Sequence, residues 1–186
     1  MRTLVRATLV LAALACAVNA IAATPAGSAP NSAKPENTLV VELKNDKSAV
    51  VEIELFPQLA PKHVERIKQL ARRKFYDGIV FHRVIPGFMA QTGDPKGNGT
   101  GGSDLPDLPA EFSGYPFKRG TVGAARTADP DSANSQFFIC FNDSGCAHLT
   151  GQYTVWGQVV SGMNYVDEIT GPKDRMLKVY LKSEPR

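Results

Sequence analysis

The chain is poor in the residues from which most catalytic centres are built. Of 186 residues, three are Cys, three are His and one is Trp, and the formal net charge at pH 7 is only +3. The histidines, His63, His82 and His148, form no i, i+4 pair, and no cysteine stands at zinc-ligand spacing, so no metal site is expected. No serine sits in a nucleophile elbow, Ser135 included, so no covalent nucleophile is expected either. The small net charge gives no electrostatic footprint for nucleic acid. The apolar run near the N-terminus is too short to span a membrane comfortably, because a membrane-crossing helix needs about 20 such residues. The six residues GNGTGG, Gly97 to Gly102, match G-x-G-x-x-G, but that fingerprint works only where a helix begins and its amides cradle a phosphate. Pro106 and Pro109 forbid a regular helix there, and no parallel βαβ pattern surrounds it. Nucleotide binding is excluded on that ground, and no cofactor is expected.

What the chain does contain begins with a leader. Arg2 and Arg6 precede the aliphatic run Leu9 to Val18, and Ala20-Ile21-Ala22 follows. A charged start, a short apolar run and an A-x-A site read as a secretory signal over residues 1–22. Lipid attachment at Cys16 is the lesser alternative, since Ala13-Leu14-Ala15 is a poor context for it. The leader carries two arginines and no acid, so its removal leaves a chain close to neutral. Residues 23–37, rich in Pro, Ala, Ser and Asn, read as a flexible linker with nothing to bury. Residues 38–183 form the expected folded domain.

Within that domain, Leu39–Leu43 and Val50–Leu55 read as strands. Alternation puts Val51, Ile53 and Leu55 on one face and Glu52 and Glu54 on the other, the mark of an antiparallel sheet with one wet face. Pro61 opens a helix whose apolar stripe is Val64, Ile67 and Leu70. Its cations Lys62, Arg66, Lys68, Arg72 and Arg73 read as a solvated face. Residues 93–118 read as an irregular groove-lining loop. Gly120 to Ala125 is a strand of small residues, with room for something to lie across it. In Gln136 to Phe141, period two sets Phe137, Ile139 and Phe141 against Gln136, Phe138 and Cys140. With the odd set inward, Phe138 and Gln136 face outward together. Tyr153–Val160 reads as a strand, Gly162–Ile169 as a short helix, and Val179–Leu181 as a strand that closes the sheet. Many short antiparallel strands with two helices fit a closed barrel.

The stretch FHRVIPGFMAQTGD, Phe81 to Asp94, organises the rest. It opens like a buried strand, turns at Pro86-Gly87, and holds one cation, Arg83. Arginine is rarely buried without a partner. Arg83 therefore reads either as a structural ion pair with a carboxylate such as Asp94, or as a cation at the rim of an apolar pocket. With NGTGG (Asn98 to Gly102), SQFFIC (Ser135 to Cys140) and VWGQVVSGM (Val155 to Met163), this stretch resembles the cyclophilin family of peptidyl-prolyl cis-trans isomerases, in order and spacing, over roughly residues 38–182.

The resemblance implies a mainly β fold, a closed eight-stranded antiparallel barrel capped by two α-helices, with the ligand site on its outer wall. It implies a peptidyl-prolyl isomerase that acts on proline-containing unfolded or flexible polypeptides; with the leader, the expected clients are exported proteins, the expected location is the periplasm, and a monomer is expected. It implies catalytic roles for Arg83, Phe88, Gln91 and Phe138. Substrate contacts fall to Met89, Ala125, Arg126, Gln136, His148, Leu149 and Tyr153. Arg126 replaces an asparagine common in the family, which leaves a backbone role intact. His148 stands where many members have tryptophan, and Tyr153 where many have histidine. Many cyclophilins are receptors for the cyclic peptide cyclosporin. In members resembling the drug-sensitive type, that tryptophan packs on the drug and donates its indole N–H.

The residues suit such chemistry because rotation about a peptide bond breaks no bond. The barrier of about 18–20 kcal/mol is largely lost amide resonance. A twisted X-Pro bond regains a lone pair on nitrogen, and a fixed donor such as Arg83 stabilises that state selectively. A non-catalytic prolyl-peptide binder or holdase is the rival reading, and a small-ligand barrel of the lipocalin type a third. Apolar residues on both parities of several strands argue against an open lumen. Cys140 and Cys146 leave two readings. In an oxidising compartment an even pair invites a disulfide. A buried small apolar thiol at a strand end is the preferred alternative.

Overall fold

The computed structural model describes residues 34–43 and 48–184. The expected signal over 1–22, with Cys16, and the linker up to residue 33 lie outside the described residues. The last part of that linker is ordered. Pro35–Asn37 forms a 3-10 turn, and the Asn37 Oδ1 accepts from Lys68 Nζ at 2.7 Å.

The strands are β1 (Thr38–Glu42), β2 (Val50–Leu55), β3 (Arg83–Ile85), β4 (Met89–Thr92), β5 (Thr121–Ala124), β6 (Phe137–Cys140), β7 (Val155–Ser161) and β8 (Lys178–Leu181). Helices α1 (Pro61–Arg72), α2 (Asp143–Cys146) and α3 (Met163–Asp167) interrupt them. The one-turn α2 carries no sequence periodicity and was not expected. One eight-stranded antiparallel sheet runs β3-β4-β6-β5-β7-β2-β1-β8.

The expected closed barrel is not what forms. The sheet curls, but β3 and β8 stand at its two edges with no ladder between them. The gap is crossed by irregular backbone: the lone bridge Val80–Arg175, with Phe81 N donating to Asp174 O and Met176 N to Ile79 O, each at 2.9 Å. The reason is local. β3 is only three residues long, and its positions alternate exposed, half-buried, exposed. The run expected as a buried strand is therefore an edge, with Ile85 open to solvent.

Period-two alternation sorts the side chains into two apolar clusters, one on each face of the curled sheet. The inner cluster holds Leu39, Val41, Val51, Ile53, Leu55, Val122, Phe137, Ile139 and Trp156. The faces of α1 (Val64, Ile67, Leu70) and α3 (Val166) join it. Trp156 packs edge-on to Phe137 with ring centroids 5.3 Å apart, which fixes the sole tryptophan as a core aromatic. The outer cluster holds Met89, Phe117, Phe138, Cys140, Cys146, Leu149 and Val155. Both faces of β6 are thus buried, and Phe138 faces outward without being exposed. β1 is likewise buried throughout, whereas β2 alternates as expected, with Val51, Ile53 and Leu55 buried and Glu52 and Glu54 half-buried.

Helix α1 is not merely a solvated basic surface. Arg66 is buried and donates from Nη2 to Pro106 O at 2.7 Å, while Arg72 and Arg73 pair with Glu184 and Asp104. The helix has no capping side chain of its own at Ala60. Glu111, nearly fifty residues on, caps it instead: its carboxylate accepts from Lys62 N at 3.1 Å and His63 N at 3.0 Å, and lies 2.7 Å from His63 Nδ1. Those amides are among the orphan donors of a helix start, where negative charge is favoured. Burial pushes the His63 pKa below its ordinary 6.5, against the opposing pull of Glu111. Burial alone would raise Glu111, but His63 and the two amides hold its carboxyl below the ordinary value.

Two outcomes are expected. Glu111→Gln should lower stability to urea by about 1–2 kcal/mol. In the native chain, His63 binds a proton more readily when unfolded than when folded, so its contribution is complete above pH 6.5 and lost as pH falls below it. Urea midpoints at pH 7.5 and pH 5 check this; an equal or higher midpoint at pH 5 would contradict it.

Candidate active site

The sheet register builds the site. β3 and β4 form a hairpin across Pro86-Gly87, which sets Arg83 opposite Gln91. Gln91 lies opposite Phe138 on β6, Phe138 opposite Gly123 on β5, and Gly123 opposite Val155 on β7. One row across five strands therefore runs Arg83, Gln91, Phe138, Gly123, Val155. Gly123 is a steric requirement: a Cβ there would sit 2.7 Å from both the Phe117 and Phe138 rings. What lies across the small-residue strand is this stacked pair, 5.6 Å between centroids.

Above it is a hollow of about 280 Å³ lined by Arg83, Phe88, Met89, Gln91, Ala125, Arg126, Phe138, His148, Leu149 and Tyr153. Its floor is apolar. Phe138 and Met89 are buried, and Tyr153 stands edge-on to Phe138 at 5.8 Å. The His148 ring flanks Phe88 at 5.5 Å. Gln136 lines instead a larger neighbouring hollow of about 410 Å³, which shares Gln91, Ala125 and Arg126 with the first. All eleven site residues expected from the sequence thus fall in two adjoining hollows.

Arg83 forms no ion pair with Asp94. It is exposed, and its Nη1 donates to Gln91 Oε1 at 3.1 Å and lies 4.0 Å from Met89 Sδ. Gln91 Nε2 donates to Gln136 Oε1 at 2.9 Å, and Gln136 Nε2 donates to Gly99 O at 3.0 Å and Gly101 O at 2.8 Å. This chain of amides leaves each one a single useful orientation, and it holds one edge of the guanidinium while the other donors stay free.

The glycine loop owes its shape to Asp94. That buried carboxylate accepts from Lys96 N at 2.8 Å, Asn98 N at 3.0 Å and Gly99 N at 2.6 Å. Burial alone would raise its pKa, but these amides and that of Gly101 hold the carboxyl below the usual range. The loop's amides are thus occupied by the chain's own anion. Asp94, Phe117 and Gly123 were not picked out as site-building residues. Phe117 gives no local signal, whereas Gly123 is marked by its strand of small neighbours.

Arg126 does more than offer its backbone. Its Nη1 donates to Thr127 O at 2.9 Å and its Nη2 to Gln152 O at 3.0 Å, and the guanidinium lies 4.4 Å from the Tyr153 ring centroid. It joins two loops that no strand ladder connects.

Cys140 and Cys146 form a disulfide, with Cα atoms 6.2 Å apart. The preferred reading of free thiols is overturned: α2 folds back beside β6 and carries Cys146 to Cys140. The bond holds the turn that leads directly into His148 and Leu149. By chain entropy a loop this short contributes about 2 kcal/mol. Reductant, or Cys140→Ser with Cys146→Ser, should lower the thermal transition accordingly; an unmoved transition would contradict this.

The fold and groove define a mainly β protein with a non-covalent ligand site on the outer wall of a curled sheet. Residues 39–182 match the family described as cyclophilin type peptidyl-prolyl cis-trans isomerase/CLD. A probable peptidyl-prolyl cis-trans isomerase of Brucella suis is 59% identical over 150 residues, covering 75% of this chain and 74% of that protein. Peptidyl-prolyl cis-trans isomerase B of Bacillus subtilis is 41% identical over 122 residues, 64% of this chain and 82% of that protein. A cyclophilin crystal structure from Hirschia baltica superposes with a TM-score of 0.73 at 26% identity, over 84% of this chain and 77% of that one. A Cryptosporidium parvum isomerase, solved in the presence of the dipeptide Ala-Pro, shares the fold with a TM-score of 0.69 at 23% identity, over 77% and 98%. The chain belongs to the cyclophilin family and is a peptidyl-prolyl cis-trans isomerase.

Proposed function

We propose that the enzyme lowers the rotational barrier without covalent chemistry, by a donor from Arg83 to the prolyl nitrogen of the twisted amide. The observation that carries this is the Arg83 guanidinium, tethered along one edge by Gln91, at the rim of a hollow floored by Phe138, Met89 and Leu149. The proline ring fills the apolar floor. Gln91, Gln136 and the Arg126 backbone hold the flanking carbonyls. Water displaced from the floor lowers the local dielectric and strengthens the donor. One charge-assisted bond is worth about 1.5–3 kcal/mol, and each 1.4 kcal/mol is about a decade in rate. Two or three such bonds supply several decades against an uncatalysed exchange of tens to hundreds of seconds.

The substrates are flexible proline-containing segments of exported proteins, and the enzyme works as a monomer. The leader over residues 1–22 supports an exported, periplasmic site of action. The Cys140–Cys146 bond is in keeping with it, because disulfides persist in oxidising compartments. Cis-trans exchange of a short Ala-Pro peptide, with and without the protein, tests the mechanism at its base. Binding without acceleration would favour the holdase. Sequencing the N-terminus of the exported protein tests the leader, and a start other than residue 23 would contradict cleavage after Ala22.

A further inference from the structure

Several basic side chains on this surface pair with carboxylates. Arg72 pairs with Glu184, Arg73 with Asp104, Arg119 with Asp167 and Lys182 with Glu52. Among the described residues, neither arginine of the groove has such a partner. Arg83 donates to an amide oxygen and Arg126 to backbone carbonyls. Both line the same hollow, and no carboxylate lines it with them. The adjoining hollow has one, Asp107, and that side chain already accepts from Asn134 Nδ2 at 2.8 Å.

Both guanidinium groups are permanently charged. Arg126 is also immobile, pinned by carbonyls on two loops and stacked on Tyr153. Its charge meets an incoming peptide without rearrangement. A hollow lined by two cations and no carboxylate, over an apolar floor, concentrates a positive field on whatever lies in it. A neutral asparagine at position 126, as the family resemblance leads one to expect, would leave Arg83 alone.

We infer that this groove selects prolyl peptides bearing a carboxylate side chain next to the proline, and disfavours those bearing an ammonium group there. The inference rests on the isomerase reading and names a substrate class within it. Arg126 is the residue that sets the preference. Partly exposed charges in a groove support about a three- to tenfold step for each unit of peptide charge at low salt, and salt erodes it as the screening length falls from about 30 Å at 0.01 M to about 8 Å at 0.15 M.

The test compares three short peptides, identical except for Glu, Gln or Lys immediately before proline, and the same three with that residue immediately after. The kcat/KM of isomerisation is measured at 10 mM and 500 mM salt for the wild type, Arg126→Gln and Arg126→Lys. In at least one position the wild type should rank Glu above Gln above Lys at low salt, with Glu exceeding Lys by about tenfold or more. High salt should compress that ratio, Arg126→Gln should shrink it, and Arg126→Lys should keep most of it. Equal rates for Glu and Lys peptides, with the Gln peptide still accelerated, would overturn the charge preference and leave the isomerase reading standing. No acceleration of any peptide would overturn both. A salt-sensitive preference that survives Arg126→Gln intact would remove Arg126 as its source. If Arg126→Gln fails to fold, the salt dependence of the wild type alone decides whether charge is read.

Discussion

His148→Trp is expected to tighten cyclosporin binding by one to two decades while changing peptide turnover by less than about threefold. His148 is exposed at the end of the groove, with its ring beside Phe88 and its carbonyl accepting from Gln152 Nε2 at 3.2 Å. A large cyclic ligand extends past the proline site and needs this wall. Indole offers a larger apolar face than imidazole and a donor that does not titrate near neutrality. Regaining an aromatic contact and a hydrogen bond amounts to a few kcal/mol, and each 1.4 kcal/mol is about tenfold in affinity. A short peptide fills the floor around Phe138, Met89 and Leu149 and gains little from the change. Drug inhibition of both proteins in one isomerase assay decides the matter. Tight inhibition of the wild type would show that position 148 does not set sensitivity.

The disulfide bears on the same wall. Cys146 Sγ lies 3.4 Å from the Phe88 carbonyl, so the crosslinked turn braces the strand end that presents Phe88 as well as the segment that presents His148. Reduction should therefore loosen the groove along with the fold.

Much of this architecture was legible in the sequence where a short-range pattern carried it. Alternation in Val50–Leu55 and in Gln136–Cys140 gave the faces of β2 and β6, because pleating fixes side-chain direction locally. Arg83, Phe88, Met89, Gln91, Gln136 and Phe138 lie within the family-like stretches, the other site residues were legible only through the resemblance those stretches carry, and the register explains why Arg83, Gln91 and Phe138 meet. What stayed hidden depends on contacts between distant segments. Closure of the sheet depends on how residues 78–81 meet residues 174–176, and only irregular backbone hydrogen bonds form there. The partner of Arg83 was open between a carboxylate and a pocket, because nothing local shows that Asp94 spends its lone pairs on the glycine loop. The cap of α1 could not be read from Ala60, since it comes from Glu111. The disulfide was named but not preferred, because α2, one turn long, has no periodicity to announce that it returns Cys146 to the end of β6.

An effect of similar size is expected for Arg83→Ala. Removing the guanidinium deletes the one permanently charged donor that the amide chain from Gly101 through Gln136 and Gln91 holds at the rim. The apolar floor proposed to hold the proline ring is untouched. Interactions made only in the twisted state affect turnover, while those made equally in both states affect binding. The loss is expected to be about one to two decades in kcat, with peptide affinity kept within about threefold. Arg83→Lys keeps the charge but loses the planar fork that reaches Gln91 and the substrate together, so it should recover only part of the rate.

Exchange spectroscopy on a short Ala-Pro peptide, at concentrations that saturate both the wild type and Arg83→Ala, reads the interconversion rate inside the bound complex. A bound-state rate many-fold slower in Arg83→Ala at nearly equal affinity is the expected result. Equal rates in the two complexes would contradict catalysis by a donor from Arg83.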